Sequence, residues 1–275
     1  MKLGETLKKH GFVFNKRYGQ NFISDGNLLR AIVADSETCI SDTVIEIGAG
    51  AGTLTAALAQ KARRVIAIEV DENLKGVLSE NLAGLDNVTL IFADAIKLSP
   101  SQLSQLAGTE EYKVVANIPY YITTPLVMRF LEQTRAESLT VTVQKEVAER
   151  FTALPGSKNY GAVTVAVNAL SDPVITRNIS RESFFPVPNV DSAVVRMKAY
   201  RSKYGDYSAV REIVKAAFSS RRKTLPNSLS ASGIPKENTR AALVSMGKPA
   251  EARAETLSPQ EFFRLADCLN NLNNG

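Results

Sequence analysis

The residues Asn117-Ile118-Pro119-Tyr120 combine an amide, a proline and an aromatic ring directly after an apolar run at 113–116. The run predicts a strand, and a residue that precedes proline is held extended, so the four residues are expected at the end of that strand. Asn117 offers a carbonyl acceptor and Tyr120 a flat face. Recognition of a purine amino group needs such acceptors and a ring for stacking. The alternative is a strand followed by an ordinary turn that contains proline.

A glycine-rich turn, Gly48-Ala49-Gly50-Ala51-Gly52, follows a predicted strand and precedes a good helix-forming segment, residues 53–59. Nucleotide-binding α/β units begin in this way, because glycines tolerate positive φ and let the backbone approach a ligand. The third glycine comes one position earlier than in the dinucleotide pattern. The spacing therefore favours an adenosine ligand without a diphosphate, such as S-adenosylmethionine; the alternative is a plain tight turn.

Two acidic residues end the next two predicted strands. Glu69 follows the apolar run 65–68, where a carboxylate can accept hydrogen bonds from both ribose hydroxyls. Asp94 ends the run 88–93 and can accept from an adenine amino group; its alternative role is a turn or helix-capping aspartate. Ligands of open α/β sheets bind outside the carboxyl ends of the strands, so both carboxylates are expected in one crevice with Asn117.

Six ordered blocks of this sequence resemble the ribosomal RNA adenine N6,N6-dimethyltransferase family, over nearly the whole chain. The blocks are residues 17–22, 46–52 with Glu69 and Asp94, 117–120, 144–147, 184–195 and 217–225. The resemblance implies methyl transfer from S-adenosylmethionine to two adjacent adenosines in a hairpin near the 3′ end of small-subunit (16S) rRNA, as part of small-subunit biogenesis. It implies small-subunit rRNA, free or in an immature 30S particle, as the partner, and a monomeric enzyme is expected.

The resemblance also implies roles for individual residues. Those carried over to the cofactor are Gln20, Asn21, Ile23, Gly48, Gly50, Glu69, Asp94 and Asn117. Tyr120 and Phe184 are expected to sandwich the target base, although Phe184 has a core position as its alternative. No dedicated general base is expected, because the amine proton becomes acidic once the methyl group has transferred.

Charge is unevenly placed along the chain, which carries a net +5 from 33 basic and 28 acidic residues. Residues 1–30 and 201–275 are both positive, whereas residues 31–200 are slightly negative. The adjacent cations Arg221, Arg222 and Lys223 repel each other unless an anion compensates them. We therefore predict that they bind RNA; the alternative is an ordinary solvated surface.

Composition excludes several classes of protein. No apolar run reaches 18 residues, so no membrane span is expected, and the basic start lacks the apolar core of a secretory signal. Cys39 and Cys268 are expected as reduced, buried or half-buried thiols in a cytoplasmic protein. With His10 as the single histidine, expected in a mobile tail, no metal site is predicted.

Strands that alternate with helices predict a doubly wound, mostly parallel α/β sheet, and the resemblance implies the seven-stranded, Rossmann-like methyltransferase form of it. The predicted strands are 43–47, 65–69, 88–93, 113–117, 139–143, 173–179 and 192–199, the last pair without an intervening helix. Helices alone follow, at about 207–219, 222–231, 236–246 and 259–270. The predicted domains are a methyltransferase domain, 1–200, with a basic arm, 1–23, and a helical RNA-binding domain, 201–275.

Three other functions remain open at this point. One is a large-subunit rRNA adenine N6-methyltransferase of the macrolide-resistance type, which shares the Asn-Ile-Pro-Tyr block. The second is a non-catalytic ribosome assembly factor, and the third, disfavoured by the glycine spacing, is a dehydrogenase. The block 221–225 favours the small-subunit enzyme, and the intact Asn117, Tyr120 and Glu69 argue against lost catalysis.

Overall fold

The structure is a computed structural model that describes residues 3–15, 19–200, 203–220 and 222–273. Its strands are β1 (Phe22–Ile23), β2 (Thr43–Ile47), β3 (Arg64–Glu69), β4 (Val88–Phe92), β5 (Tyr112–Asn117), β6 (Ala136–Gln144), β7 (Ser171–Ile179), β8 (Phe184–Phe185) and β9 (Ser192–Ala199). Its helices are α1 (Leu3–Lys9), α2 (Gly26–Asp35), α3 (Thr53–Ala59), α4 (Lys75–Asn81), α5 (Pro100–Ala107), α6 (Thr123–Gln133), α7 (Lys145–Phe151), α8 (Ala162–Leu170), α9 (Tyr207–Ala217), α10 (Leu225–Ser230), α11 (Lys236–Ser245) and α12 (Pro259–Asn273).

Seven strands form one sheet in the order β4-β3-β2-β5-β6-β9-β7, and β1 pairs with β8 separately. Strands β4, β3, β2, β5 and β6 run parallel, whereas β9 is antiparallel to β6. The near-continuous apolar runs of β2 and β3 are buried, as expected for parallel strands covered on both faces. The predicted mostly parallel seven-stranded sheet is confirmed.

The strand order reverses at β2, which lies between β3 and β5. Because β2, β3, β4 and β5 are parallel, their last residues meet at one edge of the sheet. Ile47, which ends β2, is paired with Ala116, so Gly48 and Asn117 continue side by side beyond the edge. This switch point is where open α/β sheets bind their ligands.

The N-terminal segment is folded against the sheet domain and does not form the mobile tail expected for His10. Leu3 and Leu7, one helical turn apart, are buried in a cluster that also contains Phe22. The imidazole Nε2 of His10 lies 2.7 Å from Glu80 Oε2. The apolar face of α1 therefore anchors this segment. The basic composition of the segment gives no sign of this packing.

The chain divides into two compact units. The first contains the described residues up to Ala148 together with Pro173–Ala199, and the second contains Glu149–Asp172 and the described residues from Tyr200 onward. The predicted domain boundary lies between residues 200 and 201, and no helix was predicted where α8 lies. Residues of α8 are nearly all apolar and rich in valine, so they show neither a clear helical periodicity nor high helix propensity.

The second unit is helical and has a hydrophobic core of its own. Val165 of α8 packs in this core with Val214, Leu229, Leu243 and Phe262. The four predicted C-terminal helices are observed, each starting within three residues of its predicted start.

Both cysteines are free thiols, and Cys39 is exposed in the polar turn before β2, where its Sγ lies 3.1 Å from Ser41 Oγ. The expectation of a buried or half-buried thiol is therefore wrong for Cys39. Among the described residues, no helix has the length and apolar character needed to cross a membrane, and no three His, Cys, Asp or Glu side chains cluster as metal ligands.

Candidate active site

A cavity of about 980 Å³, including its open mouth, lies at the edge of the sheet where the parallel strands end. The sequence-predicted residues that line it are Gln20, Asn21, Ile23, Gly48, Gly50, Glu69, Asp94, Asn117 and Tyr120. The structure thus brings together all eight predicted cofactor residues and one predicted stacking residue in the first unit.

The glycine turn forms one wall of the cavity. Gly50 has φ +57°, and a Cβ at this position would lie 2.9 Å from the ring of Phe22. Gly48 has φ +76°, and a Cβ there would approach the carbonyl oxygen of Asn117 at 3.8 Å. Side chains are disfavoured at both positions, so the backbone itself borders the cavity.

Three backbone N–H groups hold the carboxylate of Glu69 in place. Its Oε2 accepts from Gly50 at 2.7 Å, and its Oε1 accepts from Val70 at 2.8 Å and Asp71 at 2.9 Å. Burial raises the pKa of Glu69, and the three N–H groups oppose that shift. A carboxylate has about four acceptor positions, so Oε2 keeps capacity for a ligand hydroxyl.

Asp94 has both of the roles considered for it. Its Oδ1 accepts from the backbone N–H of Ile96 at 3.0 Å, which is a turn-stabilising bond. The same side chain lines the cavity, and its Oδ2 lies 3.8 Å from the exposed Lys97 Nζ. Because one carboxylate can accept several hydrogen bonds, the turn bond leaves Asp94 able to accept from a ligand amine.

The amide of Asn117 is oriented by the segment that precedes β1. Its Nδ2 donates to the carbonyl oxygen of Asn21 at 2.7 Å, and Asn21 Nδ2 in turn donates to Gly19 O at 3.2 Å. With the nitrogen held by a carbonyl, the Asn117 Oδ1 is the remaining acceptor, and it has no hydrogen-bond partner among the described residues. This is the free acceptor that recognition of an amine requires.

Tyr120 lines the cavity and is fixed at its far end. Its hydroxyl shares a 2.8 Å hydrogen bond with Ser192 Oγ, at the start of β9, and burial raises the pKa of this hydroxyl. Tyr121 also lines the cavity, and its side chain is 61% exposed. No role was predicted for Tyr121, although its position directly after Tyr120 could have indicated a second aromatic residue near the cavity.

Phe184 does not lie where the sandwich model expects it. It is 3% exposed, pairs with Ile23 across β1 and β8, and packs in the core with Leu29 and Val194. Successive side chains of a strand face opposite sides, so Phe185 is the residue left 50% exposed. The core position that was the alternative for Phe184 is the observed one, and its ring does not line the cavity.

The predicted RNA-binding cations belong to the second unit. Arg222 and Lys223 are exposed in the turn before α10, and neither has an ion-pair partner in the part of the chain that the structure describes. Arg221 lies outside the described residues. The role of the three cations stays a prediction.

Glu46 is a cavity residue that the sequence analysis missed. It is 1% exposed within β2, and its Oε2 has no hydrogen-bond partner among the described residues. Burial raises its pKa to about 8; the charge of Glu69 adds to the shift, and the neighbouring Thr55 hydroxyl opposes it. An acidic residue inside an otherwise apolar strand was the available signal.

This shift of the Glu46 pKa predicts a pH dependence of stability in the cofactor-free protein. The pKa of about 8 in the folded state lies above the ordinary glutamate value of 4.5, so the folded state holds the proton more tightly. Stability is then greatest below pH 4.5 for this group and falls as the pH rises through 8. Glu46→Gln should remove this component and exceed the wild type at pH 9, by on the order of 5 kcal/mol from this group alone.

Thermal unfolding midpoints at pH 5, 7 and 9 measure this effect. The exposed Glu137→Gln is the matched control and should keep the wild-type slope. Identical pH profiles for Glu46→Gln and the wild type would show that Glu46 has an ordinary pKa.

Comparison with known proteins gives consistent matches over nearly the full length. A family model for ribosomal RNA adenine dimethylase matches residues 11–271. The ribosomal RNA small subunit methyltransferase A of Lachnoclostridium phytofermentans is 40% identical over 275 residues, covering 97% of this chain and 95% of that protein. The protein of the same name from Clostridium botulinum is 42% identical over 273 residues and 98% of both chains.

Two solved structures share the fold closely. A dimethyladenosine transferase from Plasmodium falciparum superposes with a TM-score of 0.76 at 25% identity, covering 92% of this chain and 98% of that one. The 23S rRNA methyltransferase ErmE superposes with a TM-score of 0.72 at 29% identity, covering 91% and 100%.

The cavity fits S-adenosylmethionine, the cofactor predicted from the sequence. Glycine backbone borders it, the fixed Glu69 carboxylate retains acceptor capacity for hydroxyls, and the free Asn117 oxygen lies in its lining. S-adenosylmethionine supplies a methyl group activated by a sulfonium. The family model and the full-length relatives show that this chain belongs to the ribosomal RNA adenine dimethylase family.

Proposed function

We propose that this protein transfers methyl groups from S-adenosylmethionine to N6 of two adjacent adenosines in a hairpin near the 3′ end of 16S rRNA, giving N6,N6-dimethyladenosines. The observation that carries the proposal is the free Asn117 acceptor, held beside a cavity that fits the cofactor. The small-subunit relatives, at 40% and 42% identity, support the choice of 16S rRNA.

The chain's main chemical task is to prepare the adenine amine. The N6 lone pair is delocalised into the ring, which makes it a poor nucleophile. Asn117 Oδ1 and a backbone carbonyl near Ile118-Pro119 accept its two N–H groups and draw the nitrogen toward tetrahedral geometry. S-adenosylmethionine held in the cavity would supply the methyl group to this nitrogen, and the amine proton, acidified by the transfer, would pass to solvent water. Positioning supplies most of the catalysis.

Tyr120 offers the ring on which the target adenine stacks. Its position is fixed by the bond to Ser192, so little side-chain freedom is lost on binding. A stacked base contributes roughly 1–3 kcal/mol, which offsets the few kcal/mol needed to extrude an adenosine. With Phe184 in the core, the exposed Tyr121 is an aromatic side chain that lines the cavity beside Tyr120, in addition to the buried Phe22.

The proposal includes the biological setting. The substrate is rRNA within an immature 30S particle, and the enzyme acts as a monomer in the cytoplasm. The small-subunit names of the relatives support the choice of rRNA, and the two free thiols agree with a reducing compartment.

The second candidate is methylation of large-subunit rRNA, because the 23S rRNA methyltransferase ErmE shares the fold at 29% identity. Parallel assays with radiolabelled S-adenosylmethionine on reconstituted small subunits and on 23S rRNA separate the two. We expect label in the 16S rRNA only. Label in 23S rRNA alone would defeat the proposal, and RNA binding without transfer to either substrate would favour an assembly factor.

Arg222→Glu is expected to weaken RNA binding about tenfold and to lower the slope of log affinity against log salt by about one. The physical reason is that a cation bound to a phosphate displaces the counterions of that phosphate. Reversing the charge of Arg222 removes this displacement. Filter binding of a 16S hairpin between 50 and 300 mM KCl measures both quantities. Lys61→Glu is the control, because it makes the same charge change at an exposed residue between α3 and β3. It should have little effect on RNA binding or on the salt slope. An unchanged salt slope for Arg222→Glu would contradict the role.

A further inference from the structure

An exposed aromatic ring close to the cavity has no part in the mechanism above. Phe185 is half exposed, and Val187 and Val190 of the following loop are exposed as well. We call residues 185–190 the apolar loop. Exposed large apolar side chains grouped in one short segment mark an interaction surface more often than isolated ones do.

The apolar loop is tethered to the cavity wall at both ends. At its start, Phe185 is the strand partner of Phe22, and Phe22 lines the cavity. Just beyond its end, Ser192 is bonded to the hydroxyl of Tyr120, another lining residue. A segment held at both ends by lining residues adjoins the cavity wall, so it is close to whatever the cavity accepts.

The Phe185 ring is supported from behind. Its centroid lies 5.4 Å from that of Phe14 in an edge-to-face arrangement, and Phe14 lies 5.5 Å from Phe22. One part of the ring is therefore packed and the rest faces outward. A ring that is already ordered loses little conformational freedom when a partner stacks on it.

Charge around the apolar loop is mixed. The backbone N–H groups of Lys145 and Arg181, two exposed residues with cationic side chains, both donate to Asp191 next to the loop. The acids Glu182 and Asp191 are exposed there too. The local charges nearly cancel, so this surface suits the face of an uncharged ring and does not suit a phosphate.

We propose that Phe185 stacks on a nucleobase of the RNA strand next to the target adenosine and so positions the target at the cavity. This inference rests on the proposed function, since it takes the same RNA as its partner. Continuity of the loop with the cavity wall identifies the occupant: a strand whose adenosine enters the cavity leaves its neighbouring bases at the mouth. Stacking needs no particular base, because each base has a π-face.

The test compares Phe185→Leu, Phe185→Tyr and the control Ile40→Ala, which removes an exposed apolar side chain just before β2, where the strands begin. We expect Phe185→Leu to bind a 16S hairpin about tenfold more weakly and to raise KM with kcat nearly unchanged. Its salt slope should equal that of the wild type, unlike Arg222→Glu. Phe185→Tyr should restore binding, and Ile40→Ala should match the wild type.

Outcomes separate this inference from the proposed function. Wild-type binding and KM in Phe185→Leu, with methylation intact, overturn the stacking role alone. A changed salt slope also overturns it, because it assigns Phe185 to a phosphate contact. If Phe185→Leu and the wild type sediment differently in the absence of RNA, the surface joins two copies of the protein and the inference is wrong. No methylation of any rRNA by the wild type overturns both proposals.

Discussion

Asn117→Ala is expected to lower methyl transfer at least about a thousandfold, while binding of S-adenosylmethionine and of RNA changes by less than about tenfold. The variant loses the Oδ1 acceptor that draws the adenine nitrogen toward tetrahedral geometry, an interaction that strengthens only as the methyl group transfers. The bond from Nδ2 to Asn21 is lost as well, which accounts for the modest effect on the cofactor. Single-turnover transfer to 16S rRNA, with calorimetric binding of the cofactor, measures the two effects.

Asn87→Ala is the matched control for Asn117→Ala. The Asn87 amide also donates to backbone carbonyls, those of Ala59 and Ala62, but it does not line the cavity. Its loss should lower the unfolding temperature without a specific effect on transfer. Transfer by Asn117→Ala within tenfold of the wild type would show that another group activates the amine.

Glu69→Ala is expected to weaken binding of S-adenosylmethionine at least about a hundredfold. The change removes the proposed acceptor for the ribose hydroxyls and leaves the N–H groups of Gly50, Val70 and Asp71 without their carboxylate. Since Gly50 belongs to the glycine turn, the cavity wall itself should lose order. Cofactor titration by calorimetry, together with the unfolding temperature, measures both consequences.

Two further variants separate contact from support. Glu69→Gln keeps an oxygen for some of the backbone N–H groups, so it should fold better than Glu69→Ala and still bind the cofactor weakly. Glu72→Gln removes an exposed charge from the same segment and should bind normally. Wild-type cofactor affinity in Glu69→Gln would contradict the ribose contact.

The sheet and the position of the cavity follow from the sequence because few rules decide them. Apolar runs interrupted by helices require a parallel sheet, and parallel strands end at the same edge. The sequence therefore predicts that Glu69, Asp94 and Asn117 lie in one crevice, and all three line the cavity. The spacing of Gly48 and Gly50 after β2 also predicts that glycine backbone forms part of the cavity wall.

Other features depended on three-dimensional packing that the pattern does not contain. The choice between Phe184 and Phe185 turns on which face of a two-residue strand meets the core, and the chain offers no longer alternation to decide it. The nearly all apolar α8 shows no clear helical periodicity, and the burial of α1 depends on Phe22 and its neighbours. No role in the cavity was predicted for Glu46, because a single acidic residue within a core strand does not by itself indicate a site.

Mass spectrometry of rRNA fragments from cells that lack this protein tests the central claim most directly. We predict that N6,N6-dimethyladenosine disappears from the hairpin near the 3′ end of 16S rRNA, and that the wild-type gene restores it whereas Asn117→Ala does not. Unchanged dimethyladenosine at that hairpin in the deletion strain, or its full restoration by Asn117→Ala, would contradict the account.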